Sequence, residues 1–86
     1  MRTDSLLKAL CLVKTRSLAR KGCETGNVRI NGAVVKPSRE AAEGDIIEIR
    51  QPKHLLVVEL LETPKGQISK KDATRFYRVV RETRTG

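Results

Sequence analysis

Aromatic residues are nearly missing from this chain. Phe76 and Tyr77 are the whole supply, and they are neighbours. Proteins that read single strands by stacking need aromatics spread over a sheet or groove, so that mode is excluded. Histidine is limited to His54, and the two cysteines, Cys11 and Cys23, form no CxxC pair. Three soft ligands without zinc-site spacing exclude a zinc finger and predict two reduced, half-buried thiols. Long apolar runs are also lacking. The longest, Ala9–Val13, has five residues, whereas a membrane span needs about 20. Met1-Arg2-Thr3-Asp4-Ser5 leads into no signal-peptide core. No membrane partner and a cytoplasmic location are therefore expected. A chain of 86 residues makes one domain, too small for a deep catalytic cleft with its own supporting shell. No nucleophile–base pair, phosphate loop or metal constellation stands out, so no enzyme activity, cofactor or metal is expected.

What the chain does have is positive charge. Lys plus Arg is 18 and Asp plus Glu is 10, for a net +8. Residues 14–39 hold seven basic residues and a single acid, Glu24, and so carry most of that excess. Uneven positive charge is the footprint of a polyanion partner. With so few aromatics, a nucleic acid would be held through phosphates, sugars and shape. Leu, Ile, Val and Phe total 23 of 86, enough for a small folded core.

The patterning predicts an α+β unit. A helix is expected over 4–13, capped by Asp4, with Leu6, Leu7, Leu10 and Val13 near helical spacing. A second starts after Thr15 and ends at Gly26, with Leu18, Ala19 and Cys23 on its inner side and Arg16, Arg20 and Lys21 on the other. Gly22, costly in mid-helix by about 1 kcal/mol, suggests close approach to a neighbour. Val28–Ile30 and Ala33–Val35 flank Asn31-Gly32, a strong hairpin signal. Ile46–Arg50 and His54–Leu61 are further strands. Ser69–Asp72 fits a capping box, and Ala73, Phe76, Tyr77 and Val80 then form one helical stripe. Thr83–Gly86 is expected to fray. The expected architecture is two N-terminal helices on a small, mainly antiparallel sheet with an Asn-Gly hairpin, plus a short C-terminal helix.

On that frame Arg16 and Arg20 stand one turn apart and can each fork onto a phosphate. The start of the second helix, at Thr15, Arg16 and Ser17, adds free N–H groups. Lys14 and Lys21 extend the basic face. The hairpin brings Arg29 and Lys36 to an adjacent surface, where Asn31 and Ser38 can bond a ribose 2′-OH or a phosphate. Asp4 is read as a cap or an arginine partner, and Glu24 as a residue that orders a nearby arginine.

Five ordered blocks then carry a resemblance: Arg2-x-Asp4-x-x-Leu7, Lys14–Arg20, Gly26-x-Val28-x-Ile30-Asn31-Gly32, Lys36-Pro37-Ser38 and Gly44-Asp45-x-Ile47. Together they resemble the S4 RNA-binding domain, or alpha-L motif, over residues 2–49. Ser5 stands where the family has lysine, and Gly22-Cys23 where it has two apolar residues. Among stand-alone bacterial members, the chain is similar to the RqcP ribosome quality-control type and the heat-shock protein 15 type. Its length and the absence of a long basic extension favour the first. The resemblance implies a division into an S4-like RNA-binding part, residues 1–50, and a C-terminal strand and helix, 51–86, completing the same unit. It adds Arg2 to the RNA-binding set. It implies binding to large-subunit rRNA and to tRNA or peptidyl-tRNA, by a monomer that works beside a quality-control tailing factor. The alternatives are a heat-shock recycling role on large subunits, an adaptor docking through the C-terminal helix, and a DNA-binding helix pair without a dimerisation element.

Overall fold

Helix α1 (Thr3–Ala9) begins where the chain leaves Arg2 in an extended conformation. In this computed structural model, which describes residues 1–84, Arg2 is the N-cap residue. Asp4, expected there, lies buried in the first turn instead. The orphan N–H groups of Thr3 and Asp4 donate to the carbonyls of Arg39 (2.9 Å) and Pro37 (3.2 Å). A distant loop thus replaces a capping side chain. The helix also stops earlier than residue 13, because Cys11 takes a left-handed φ of 58°. Leu12 N–H then donates to Leu7 (3.0 Å) and Cys11 N–H to Lys8 (3.0 Å), the Schellman pattern of a helix end.

Helix α2 (Arg16–Glu24) follows the expected limits. The Thr15 hydroxyl accepts from Leu18 N–H at 3.1 Å. A second Schellman end, with Asn27 N–H on Gly22 (2.8 Å) and Gly26 at φ +79°, closes it. Ala19 and Cys23 face inward, but Leu18, expected beside them, is exposed. Gly22 is the point of closest approach: a Cβ there would lie 2.8 Å from Val28 Cγ2.

Five antiparallel strands form one sheet in the order β2-β1-β3-β4-β5. They are β1 (Val28–Ile30), β2 (Ala33–Val34), β3 (Ile46–Gln51), β4 (His54–Leu60) and β5 (Tyr77–Arg84). Ile30 pairs with Ala33 across Asn31 (φ 53°) and Gly32 (φ 81°), so the hairpin has two left-handed residues and the type I′ geometry that matches strand twist. Val28, Ile30, Ile47, Ile49, Val58 and Leu60 bury one face against Leu6 and Leu7 of α1, Leu10 at its C-cap, and Ala19 and Cys23 of α2. No helix among the described residues is long and apolar enough to cross a membrane.

The C-terminal segment departs from the helical stripe. Helix α3 (Lys70–Ala73) is a single turn, capped as expected by the Ser69 hydroxyl on Asp72 N–H. From Tyr77 the chain is strand, and Leu60 pairs with Tyr77. The reason is physical: β4 has an open edge with unmet backbone groups, and Val79, Val80 and Thr83 are β-branched. Val80 therefore stands exposed rather than in a helical stripe, while Phe76 and Tyr77 pack half-buried against the core. Thr83 and Arg84 do not fray but pair with Leu55 and His54. Thr85 and Gly86, expected to fray with them, lie outside the described residues. Both thiols are free, but neither is half-buried: Cys11 is exposed and Cys23 buried.

Candidate nucleic-acid interface

The basic surface is organised by a buried carboxylate. Asp4 is 1% exposed. It accepts from Arg2 Nε (3.2 Å) and a terminal nitrogen of Arg2 (3.1 Å), from Arg16 Nε (3.3 Å), and from Ser5 N–H (2.7 Å). Burial by itself would raise the Asp4 carboxyl. The Arg16 and Arg2 guanidiniums and the Ser5 N–H outweigh it and hold the group below the ordinary carboxylate range. Asp4 is therefore an arginine partner, one of the two roles expected for it. The two arginines remain 44% and 56% exposed. Among the described residues Arg16 engages only its Nε, which leaves both terminal nitrogens to fork onto a phosphate.

The loop after β2 is stitched to the chain start. Thr3 N–H and its hydroxyl both reach Arg39, Ala41 N–H reaches Met1, and the Met1 ammonium meets Glu40 at 2.7 Å. Asp45 braces the same loop, accepting from Arg39 (2.8 Å), Ala42 N–H (2.9 Å) and Asn31 (3.1 Å). These donors hold its carboxyl low against the upward push of burial. The stitching brings Arg2, Arg20, Lys36 and Ser38 to the lining of one cleft of ≈ 730 Å³, together with Cys23 and Val35. Burial, with Asp4 and Glu24 nearby, pushes the Cys23 thiol up, so that part of the lining stays neutral. On the rim, Glu24 meets Arg20 Nε at 3.6 Å, the ordering role expected of it.

The remaining sequence candidates divide. Thr15 spends its hydroxyl on the cap, while Ser17 is exposed on the first turn of α2. Lys21 faces away from the cleft, into a groove beside Gly22, Val28 and Arg50. Arg29 projects from the strand face opposite Val28 and Ile30, and its Nε donates to Gly26 (3.3 Å). The Asn31 side chain is engaged internally, donating to Asp45 and accepting from Ile46 N–H (3.0 Å). Lys14 stands apart, in a hollow it shares with Lys8 and Lys70. Those two lysines were not singled out by sequence, because they lie 62 positions apart and outside the basic 14–39 stretch, and only the fold brings them together.

A family model described as S4 domain matches residues 1–47. Over nearly its full length the chain is similar to proteins named RQC P-site tRNA stabilizing factor. That of Streptococcus pneumoniae is 36% identical over 84 residues, covering 98% of this chain and 94% of the relative. That of Halalkalibacterium halodurans is 38% identical over 82 residues, covering 95% and 92%. A solved structure of Vibrio cholerae heat shock protein 15, described as trimeric, aligns with a TM-score of 0.88 at 32% identity, covering 93% of this chain and 81% of that one.

Proposed function

The chain belongs to the S4 domain family, and from that premise we propose that it is an RNA-binding factor of ribosome quality control. In this reading it stabilises P-site tRNA on the large ribosomal subunit while a stalled nascent chain is still attached. Its partners are large-subunit rRNA and tRNA, and it acts in the cytoplasm as a monomer beside a tailing factor. It performs no chemical step. The S4-like part, residues 1–50, supplies the main grip, and residues 51–86 complete the sheet that supports it.

One observation carries the reading: a buried carboxylate holds two half-exposed guanidiniums, Arg2 at the N-cap of α1 and Arg16 at the start of α2, and Arg2 also lines a cleft with Arg20 and Lys36. Fixing two arginines before binding lowers the ordering cost that flexible cations incur on a phosphate backbone. Lys36, Arg20 and Ser38 then offer further phosphate and ribose contacts along the cleft. Similarity to the named tRNA stabilizing factors supports the ribosomal assignment.

The test is co-sedimentation with large subunits, empty or carrying peptidyl-tRNA, and with whole ribosomes, over a salt series. Preference for tRNA-bearing large subunits is expected. Four to six phosphate contacts give a log–log salt slope of roughly −3 to −5. Equal binding to every particle, lost together as salt rises, would reduce the protein to a generic basic RNA binder.

A further inference from the structure

Three lysines outside the Arg2–Arg16 pair meet in one place. Lys8 lies in the last turn of α1, Lys14 in the bend before α2, and Lys70 at the start of α3. With Cys11, Val13 and Gln67 they line an open hollow of ≈ 270 Å³. No carboxylate among the described residues lines it. Among the described residues, none of the three lysines takes part in an ion pair.

The local hydrogen bonding holds this charge in position without neutralising it. Lys8 Nζ donates to Gln67 Oε1 at 2.8 Å. The Gln67 amide nitrogen donates in turn to the carbonyls of Ala9 (3.3 Å) and Ile68 (3.1 Å). Ile68 N–H also reaches Ala9 (3.3 Å), which ties the segment leading to Lys70 onto the end of α1. A neutral amide thus aims the Lys8 ammonium. Three like charges around one hollow repel each other until an anion arrives. Ammoniums act as compact point charges and accept a phosphate from many directions. The hollow shares no lining residue with the Arg2–Lys36 cleft. Arg2 and Lys8 stand at opposite ends of α1, about 9 Å apart in helix rise.

We propose that the Lys8–Lys14–Lys70 hollow is a second phosphate seat, which grips the RNA backbone at a point separate from the one held by Arg2 and Arg16. It rests on the RNA-binding reading above and adds a second, independent contact to it. The experiment compares Lys8→Gln/Lys70→Gln with the charge-keeping Lys8→Arg/Lys70→Arg on tRNA-bearing large subunits across a salt series. Loss of this one phosphate contact should flatten the log–log slope by about 0.7–0.9 and weaken low-salt binding several-fold, whereas the arginine pair should keep the slope. Cys11 supplies a second readout, because it is exposed on the hollow while Cys23 is buried. Alkylation of Cys11, read by mass spectrometry, should slow several-fold in the bound wild type. A wild-type slope in the glutamine pair, with Cys11 alkylated at its free rate in the complex, would overturn the seat. If Arg16→Ala/Arg20→Ala also binds as wild type does, the RNA reading itself fails as well.

Discussion

Replacing Asp4 with Asn sets preorganisation against simple charge. The change removes a negative group from a surface meant for a polyanion, so counting charges predicts tighter RNA binding. Asp4 accepts five hydrogen bonds, three of them from Arg2 and Arg16 and two from Ser5. An asparagine has a single acceptor oxygen and turns two donors toward the guanidiniums. The gain in attraction is small: a phosphate on Arg16 would sit roughly 6–7 Å from the lost carboxylate, worth about 0.6–1 kcal/mol near the solvent-exposed limit. The loss is larger, since two freed arginines must each be immobilised on binding at about 0.5–1.5 kcal/mol. The net runs from unchanged binding to weakening by about 50-fold, with a central value near 7-fold. Stability should fall as well, by about 1–3 kcal/mol, because the pairs join a buried carboxylate to half-exposed arginines. The assay is fluorescence anisotropy with labelled tRNA at fixed salt, below the melting midpoint of each variant measured by circular dichroism. Tighter binding by a fully folded Asp4→Asn protein would refute the preorganised pair.

Other expectations follow from single contacts. Gly22→Ala gains helix propensity of about 1 kcal/mol but drives a Cβ into Val28 Cγ2 at 2.8 Å. Val28 is 2% exposed and cannot yield; overpacking of about 1–3 kcal/mol should win, lowering the melting temperature, and a rise would contradict the close approach. Thr15→Ala removes the cap on Leu18 N–H and should cost about 1 kcal/mol, read by urea denaturation. Asp4 and Asp45 both titrate below their usual 3.8 in the folded state. The unfolded chain therefore binds protons first, so their stabilisation is full above about pH 5 and is lost as pH falls through the folded values. Melting temperatures should drop below about pH 4, less steeply in Asp45→Asn, and a flat profile down to about pH 2.5 would exclude the effect.

Local signals in the chain were sufficient for much of the frame. Thr15 and Gly26 bracket α2 because cap chemistry depends on residues a few positions apart. Asn31-Gly32 set the hairpin register for the same reason. The five blocks from Arg2 to Ile47 were enough to indicate the family. The misses arose where a competing interaction was not local. The end of α1 at Cys11 carries no glycine to announce it. Tyr77–Arg84 fits a helical stripe and a strand equally well by pattern, and the open edge of β4 decided between them. Leu18 sits on a helix whose inner face is already filled by Ala19 and Cys23.

The sequence alone determined the class of partner, since net +8 with two aromatics leaves phosphate recognition as the available mode for a nucleic acid. Tertiary structure decided which cations act together. Arg2 and Arg16 are joined through Asp4, Arg20 and Lys36 line one cleft, and Lys14 leaves that group to join Lys8 and Lys70. Charge is a property of composition and is additive along the chain. A binding seat depends on distances between side chains, and those are set only when the 36–41 loop is bound to the chain start and the 67–68 segment to the end of α1.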